Sequence, residues 1–209
     1  MTLQSSKTLG GIGALLMVIS PFAVSGFSLL IDVVGLILVL IAVKGLSDHY
    51  KEPSIFNNSL YGVILSIVGV VIFVAALFVI AISFFTNVLG VELSTAFSDP
   101  TVFANIEWTE AMILDNLLDH LAALIGSFVM LFIFVVVATI FYRKSLTTLA
   151  EKTGVGLFGT AGLLLLIGAI LTIIVIGFLL IWIALILLTV AFFRIRTEPT
   201  QPPAPTPPA

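Results

Sequence analysis

The residues best placed to do chemistry in this chain are few, and most are carboxylates. The stretch 107–120, EWTEAMILDNLLDH, puts Asp115 and Asp119 one helical turn apart, with His120 beside them. Leu114, Leu117, Leu118 and Leu121 form the opposite stripe, so the segment predicts an amphipathic helix. Carboxylates with an imidazole can hold a hard divalent ion, because Ca²⁺ and Mg²⁺ take oxygen ligands. The spacing matches no ligand signature, however, and a solvated acidic face is the simpler reading. No metal and no cofactor is expected from it. Asp32 is the other candidate, as the only carboxylate set well inside an apolar run. Counted from Ser25, it lies about 10 Å along its helix at 1.5 Å per residue. An aspartate in mid-span costs roughly 2.5–3.5 kcal/mol on insertion, so it should face the helix bundle or a wet crevice. There it could accept a proton or cation, or anchor a neighbouring amide or hydroxyl. No Lys or Arg lies near it in sequence, and the anchoring role is the one the sequence favours.

The motifs of enzymes are missing. Cysteine is absent, which removes disulfides, thiolate ligands and thiol nucleophiles. Neither H-E-x-x-H nor G-x-S-x-G occurs, and the histidines are His49 and His120 alone. Gly154, Gly156 and Gly159 fit G-x-G-x-x-G, but that fingerprint requires a preceding strand and a βαβ unit. Inside apolar sequence, those glycines and the pairs Gly10/Ala14 and Ala122/Gly126 read instead as surfaces for close helix packing. No catalytic residues are expected.

Stepping from residues to elements, the charge inventory decides the class. Of 209 residues, 60% are hydrophobic and 9% charged, and the mean hydropathy is +1.30. A soluble domain carries about 25% charged residues to cover its surface. Here no charged side chain occurs in 53–91, 121–142 or 153–193. Runs beyond about 18 apolar residues are bilayer spans, and solid rather than alternating runs exclude an outer-membrane barrel. A basic nucleic-acid patch is missing, so nucleic acid is not an expected partner.

Four apolar blocks result, 9–43, 59–86, 111–142 and 155–193, and the first and last are too long for one crossing. As one helix the last would extend about 58 Å at 1.5 Å per residue, against about 30 Å of hydrocarbon. Ser20-Pro21 with Ser25-Gly26 breaks the first, and Gly168 and Gly177 around Thr172 punctuate the last. The sequence therefore predicts an all-α, polytopic bundle of about six transmembrane helices, over 9–22, 26–43, 59–86, 111–142, 155–172 and 175–193. These make one transmembrane helical domain, 1–196. The proline-rich stretch 197–209, TEPTQPPAPTPPA, cannot bury a core and is expected to be a disordered tail. The run 9–19 with Ala23-Val24-Ser25 also resembles a signal peptide cut before Gly26, but the next apolar run starts at once, which favours a retained first span.

Six spans place all eight basic residues, Lys7, Lys44, Lys51, Arg143, Lys144, Lys152, Arg194 and Arg196, on one side of the membrane. The opposite side receives the loop 87–110, with Glu92, Asp99, Glu107 and Glu110 and no Lys or Arg. Basic loops stay cytoplasmic, so both termini are expected inside a cell membrane. Tyr50, Tyr61 and Tyr142 fall at the inner boundary and Trp108 at the outer one, as aromatic belts do.

Lys44-Gly-Leu46-Ser47 followed by Lys51-Glu52 recurs as Lys144-Ser-Leu146-Thr147 followed by Glu151-Lys152. Each copy precedes an apolar pair, Ile55-Phe56 or Leu157-Phe158, which suggests a parallel repeat. The run Leu9-Gly10-Gly11-Ile12-Gly13, the triplet Ile55-Phe56-Asn57 and the whole of 153–193 resemble the uncharacterised, largely archaeal membrane family catalogued as domain-of-unknown-function family 996. The resemblance covers most of 9–193. It implies a multi-pass membrane protein, archaeal in character, and carries no activity or functional residues. The expected role is non-enzymatic: helix packing, with the lipid bilayer, membrane proteins or a second copy of the chain as partners. The competing role is a small transporter or channel using Asp32. Its polar route would run through Ser28, Ser66, Ser83, Thr139 and Thr172.

Overall fold

In hydrocarbon every backbone amide and carbonyl must find its partner within the chain, and an unbroken apolar run achieves this only as a helix. The computed structural model describes residues 2–23, 26–88, 90, 93–99, 101 and 110–196, with the side chains of 88, 93, 96 and 110–117 not described. The proline-rich stretch 197–209, Ser25, Glu92, Glu107 and Trp108 lie outside the described residues. Among the described residues the chain is helical throughout, with no strand. The helices are α1 (Leu3–Ile19), α2 (Ser28–His49), α3 (Pro53–Ser83), a short α4 (Leu93–Ser98), α5 (Glu110–Thr153), α6 (Leu157–Leu171) and α7 (Ile176–Phe193). Among the described residues five helical stretches, α2, α3, α5, α6 taken on to Ile174, and α7, are long and apolar enough to cross a membrane, and α1 has 17 residues. The protein is an all-α polytopic membrane protein.

Both breaks foreseen in the long blocks are present. Ser20–Phe22 forms a 3-10 turn with Pro21 at its start, and the Ser20 hydroxyl donates to the Ser28 carbonyl at 3.3 Å. Thr172–Ile174 forms a second 3-10 turn and leads into Val175, whose φ of 66° is left-handed. Helices do not stop where apolar sequence stops. α2 runs on through Lys44 to His49, and α5 through Arg143 to Thr153, where Gly154 at φ +70° turns the chain.

The chain divides into two compact units, the described parts of Met1–Gly62 with Thr139–Ala209, and Val63–Ala138. The first holds two helical hairpins, α1–α2 and α6–α7, and each is pinned by glycine. A Cβ on Gly13 would sit 2.6 Å from the Gly35 carbonyl oxygen, and one on Gly168 would sit 3.0 Å from that of Gly177. The hairpins meet through α1 and α7, which run antiparallel. The Phe192 ring covers Gly10 and the Phe193 ring covers Gly11. The Trp182 indole N–H donates to the Val18 carbonyl at 3.0 Å, and the Phe22 ring stands edge-on to Trp182 at 5.9 Å. The core of this unit includes Ala14, Leu46, Ile55, Leu149, Phe158 and Phe192, each fully buried.

The second unit pairs α3 with α5, antiparallel, through Gly69 under Phe134 and the Phe73–Phe128 rings at 5.0 Å. Only 11% of the apolar window of α3, and of α5, is buried, against 33% in α7. The pair Ala122/Gly126 corrects its sequence reading: Gly126 has nothing within reach of a Cβ, and both residues are exposed.

These contrasts set a test. On Gly177 a Cβ would strike the Gly168 carbonyl oxygen and the Thr172 amide, which are backbone and cannot step aside. Gly177→Ala is expected to lower stability by about 1–3 kcal/mol, as overpacking does. Gly126→Ala should be neutral or raise it by up to about 1 kcal/mol through helix propensity. Thermal unfolding in detergent, followed by circular dichroism, checks both.

Candidate functional site

Asp32 sits on α2 one turn before Gly35, on the stripe Asp32, Gly35, Val39, Ala42, Leu46 that packs toward the core. It is half-buried and forms no hydrogen bond or ion pair with the described residues. Two of the hydroxyls that would extend it into a route, those of Thr172 and Ser83, are occupied elsewhere. Thr172 donates to the Ala169 carbonyl at 2.7 Å, and Ser83 meets Asn87 at 3.0 Å and His120 at 3.2 Å. Ser28, Thr139 and Thr172 belong to the same unit as Asp32, whereas Ser66 and Ser83 belong to the other. Four grooves among the described residues are lined by other side chains, including the apolar one between Phe73, Ala76 and Met130.

The outer acidic face is placed in part. Asp115 and Asp119 lie one turn apart near the start of α5, where Asp119 is exposed and the Asp115 side chain is not described. His120 turns to α3 instead, with Nε2 at 3.2 Å from the Ser83 hydroxyl and its ring 5.8 Å from that of Phe84. Among the described residues no three His, Asp or Glu side chains come together as metal ligands do.

The densest polar chemistry lies where the basic helix ends of the first unit meet. The Lys7 ammonium donates to the Ile195 carbonyl at 2.9 Å, tying the start of α1 to the end of α7. Lys44 and Asp48 form an exposed pair at 2.6 Å along α2. Glu52, in the α2–α3 turn, takes the Lys152 ammonium of α5 at 3.0 Å and the Ser54 hydroxyl at 2.9 Å. The Lys152 hydrogen bond, then that of Ser54, hold the Glu52 carboxyl below the ordinary carboxylate range. Deeper in, the Ser145 hydroxyl donates to the Ile55 carbonyl at 2.6 Å and meets the Ser59 hydroxyl at 2.7 Å, all buried. A buried hydroxyl without a partner costs about 1–3 kcal/mol, so this arrangement fixes α5 against α3.

Sequence reasoning had singled out the two basic turns as a repeat without seeing that they touch. The clasp takes its acid from one copy, Glu52, and its base from the other, Lys152. Leu46 and Leu146, with Ile55 and Phe158, enter one core. The signal was present in the inverted order, Lys-Glu at 51–52 and Glu-Lys at 151–152. Ser59 and Ser145 gave no signal, since each reads as an ordinary small residue in an apolar helix.

Helical hairpins closed by glycine, polar groups gathered at helix ends and long apolar flanks define a multi-pass α-helical membrane protein. Its sequence matches the family model described as "Protein of unknown function (DUF996)" over residues 31–186, and the chain belongs to that family. It is 31% identical over 198 residues to the uncharacterized protein MJ1644 of Methanocaldococcus jannaschii, covering 95% of this chain and 96% of that relative. No solved structure matches it.

The Glu52–Lys152 clasp has a pH signature. A depressed carboxylate pKa contributes stability above its unfolded value, and the contribution is lost as pH falls through the folded value. The Glu52 side-chain carboxyl, followed by carbon NMR in micelles, should titrate with a midpoint below the ordinary value of about 4.3. In Lys152→Gln the midpoint should move up toward that value; an unchanged midpoint means the clasp does not form.

Proposed function

We propose that the protein is a non-enzymatic membrane protein that acts by helix packing, presenting its polar, basic end to a partner in or on the cell membrane. The observation that carries this reading is where the polar groups go. Several hydroxyls along the spans are taken up by backbone carbonyls, as with Thr172, Thr189 and Ser127, and Asp32 lines none of the described grooves. A conducting path needs polar groups in file across the bilayer. The exposed polar and charged groups concentrate instead at the helix ends around Glu52, Lys152 and Lys44. A membrane protein or a second copy of the chain is the partner this end suits.

The orientation proposed with it puts this end, and both termini, in the cytoplasm. All eight Lys and Arg residues belong to the first unit, near the ends of the apolar runs, and basic residues flanking short loops are retained inside. A second reading, ion or proton transfer through Asp32, rests on one observation. That carboxylate is half-buried on a packing stripe and has no bonding partner among the described residues.

Two experiments separate these statements. Cysteines introduced at the exposed positions Ser94 and Thr101 should react with an impermeant maleimide on intact cells. Cysteines at the exposed positions Thr147 and Glu151 should react only after lysis, and surface labelling at either overturns the orientation. Asp32→Asn keeps a hydrogen-bonding amide but carries no proton, so the packing role predicts normal insertion and thermal stability within about 1 kcal/mol of the parent. A proton or cation flux in proteoliposomes that is present in the parent and lost in Asp32→Asn favours the second reading.

A further inference from the structure

The basic end contains a second, separate feature on the opposite side of α5 from its buried serine. An open groove of about 720 Å³ runs between the start of α3, the end of α5 and α6. Arg143 and Lys144 line it together with Ser54, Asn58 and Thr147, and its apolar wall is Ile140 and Leu166. Both cations are exposed, and neither forms an ion pair with a carboxylate among the described residues. The Lys144 ammonium lies 5.5 Å from the centre of the Phe141 ring, which holds it without neutralising it. Glu52, two residues before Ser54 of the lining, is already paired with Lys152 at 3.0 Å, and the exposed Glu151 lies two turns further along α5 from Lys144. Arg143 and Lys144 follow directly on the charge-free run 121–142, so the groove opens where a span leaves hydrocarbon, at headgroup depth.

We infer that this groove is a binding site for the phosphate-bearing headgroup of an anionic membrane lipid. A guanidinium presents a planar donor fork that matches phosphate oxygens, and an ammonium adds a mobile point charge. The Thr147 hydroxyl and the Asn58 amide supply neutral donors for the remaining oxygens or a glycerol hydroxyl, while the Ser54 hydroxyl stays donated to Glu52. Ile140 and Leu166 continue the groove toward the hydrocarbon, which provides a bed for the first carbons of an acyl or alkyl chain. Basic pockets between transmembrane helices at the membrane surface recognise anionic headgroups through this combination. A free phosphate ion shares the polar half of that chemistry but gains nothing from the apolar wall, and the lipid is the ligand the whole groove fits. The site is independent of any partner bound elsewhere on the basic end.

The test uses the full chain in detergent, exposed to equimolar phosphatidylglycerol and phosphatidylcholine, with bound lipid counted by native mass spectrometry. The parent should retain phosphatidylglycerol preferentially. R143Q/K144Q should lose that preference by about twenty-five-fold, from roughly fivefold for each cation near a headgroup. Asn58→Asp, which places a negative charge in the groove while leaving both cations, should weaken it as well and covers the case in which the double variant misfolds. Lys51→Gln with Arg194→Gln removes two cations outside the groove lining and should leave the preference within about threefold, since each lies apart from the bound phosphate. An equal loss in that control, an unchanged preference in R143Q/K144Q and Asn58→Asp, or displacement of phosphatidylglycerol by an equal concentration of inorganic phosphate would each overturn the assignment.

Discussion

Backbone approaching backbone at glycine is the interaction on which the rest of this structure depends. Between helices in lipid there is little hydrophobic gain, because acyl chains are as apolar as leucine, so association relies on close van der Waals contact and local hydrogen bonds. Gly13 against Gly35 and Gly168 against Gly177 bring each hairpin to a separation at which no Cβ fits. Gly10 and Gly11 then give α1 a flat surface for the Phe192 and Phe193 rings, and this joins the hairpins into one core. The polar clasps at the helix ends become useful only after that geometry is set. Exposed pairs such as Lys44–Asp48 contribute at most about 1 kcal/mol, so they refine an arrangement that packing has already fixed.

The two units contrast because their sequences offer different means of contact. The first spends its small residues on tight crossings and its serines on buried hydrogen bonds. In the second, α3 and α5 share one glycine contact, at Gly69, and a few aromatic rings, while most of their apolar surface stays uncovered. An uncovered apolar surface is the ordinary state of a helix in lipid. Burial is therefore a poor guide to importance in this protein, and hydrogen bonds between distant segments are a better one.

Much of the fold was legible in the sequence because charge is so scarce. Three long charge-free runs, with the interruption at Ser20-Pro21, gave the helices and their alternation. Polarity did not mark helix ends, however: α2 and α5 carry on through Lys44 and Arg143 because a helix already nucleated propagates into water at little cost until a residue such as Gly154 ends it. Gly168 and Gly177 signalled the last hairpin for a reason other than the one that operates. They pack against each other, and the reversal itself occurs at Thr172–Val175. Ala122/Gly126 shows the limit of small-residue spacing, which describes one helix surface and cannot say whether another helix meets it. The contact of α1 with α7 was beyond reach, since Gly10 and Phe192 are 182 positions apart and neither hints at the other. The Ser59–Ser145 bond was hidden for the same reason.

The pairing of the first helix with the last has a consequence for how the protein is made. Synthesis makes α1 before α7, and α2 follows α1 within a short turn to bring Gly35 against Gly13. The surface at Gly10 and Gly11 then waits through the synthesis of α3, α5 and α6 until Phe192 and Phe193 emerge. Until α7 is made, neither those rings nor the Ile195 carbonyl that takes the Lys7 ammonium is there to meet α1. Gly10 thus waits 182 positions for the ring that covers it, and α1 is fully seated only once α7 has been made.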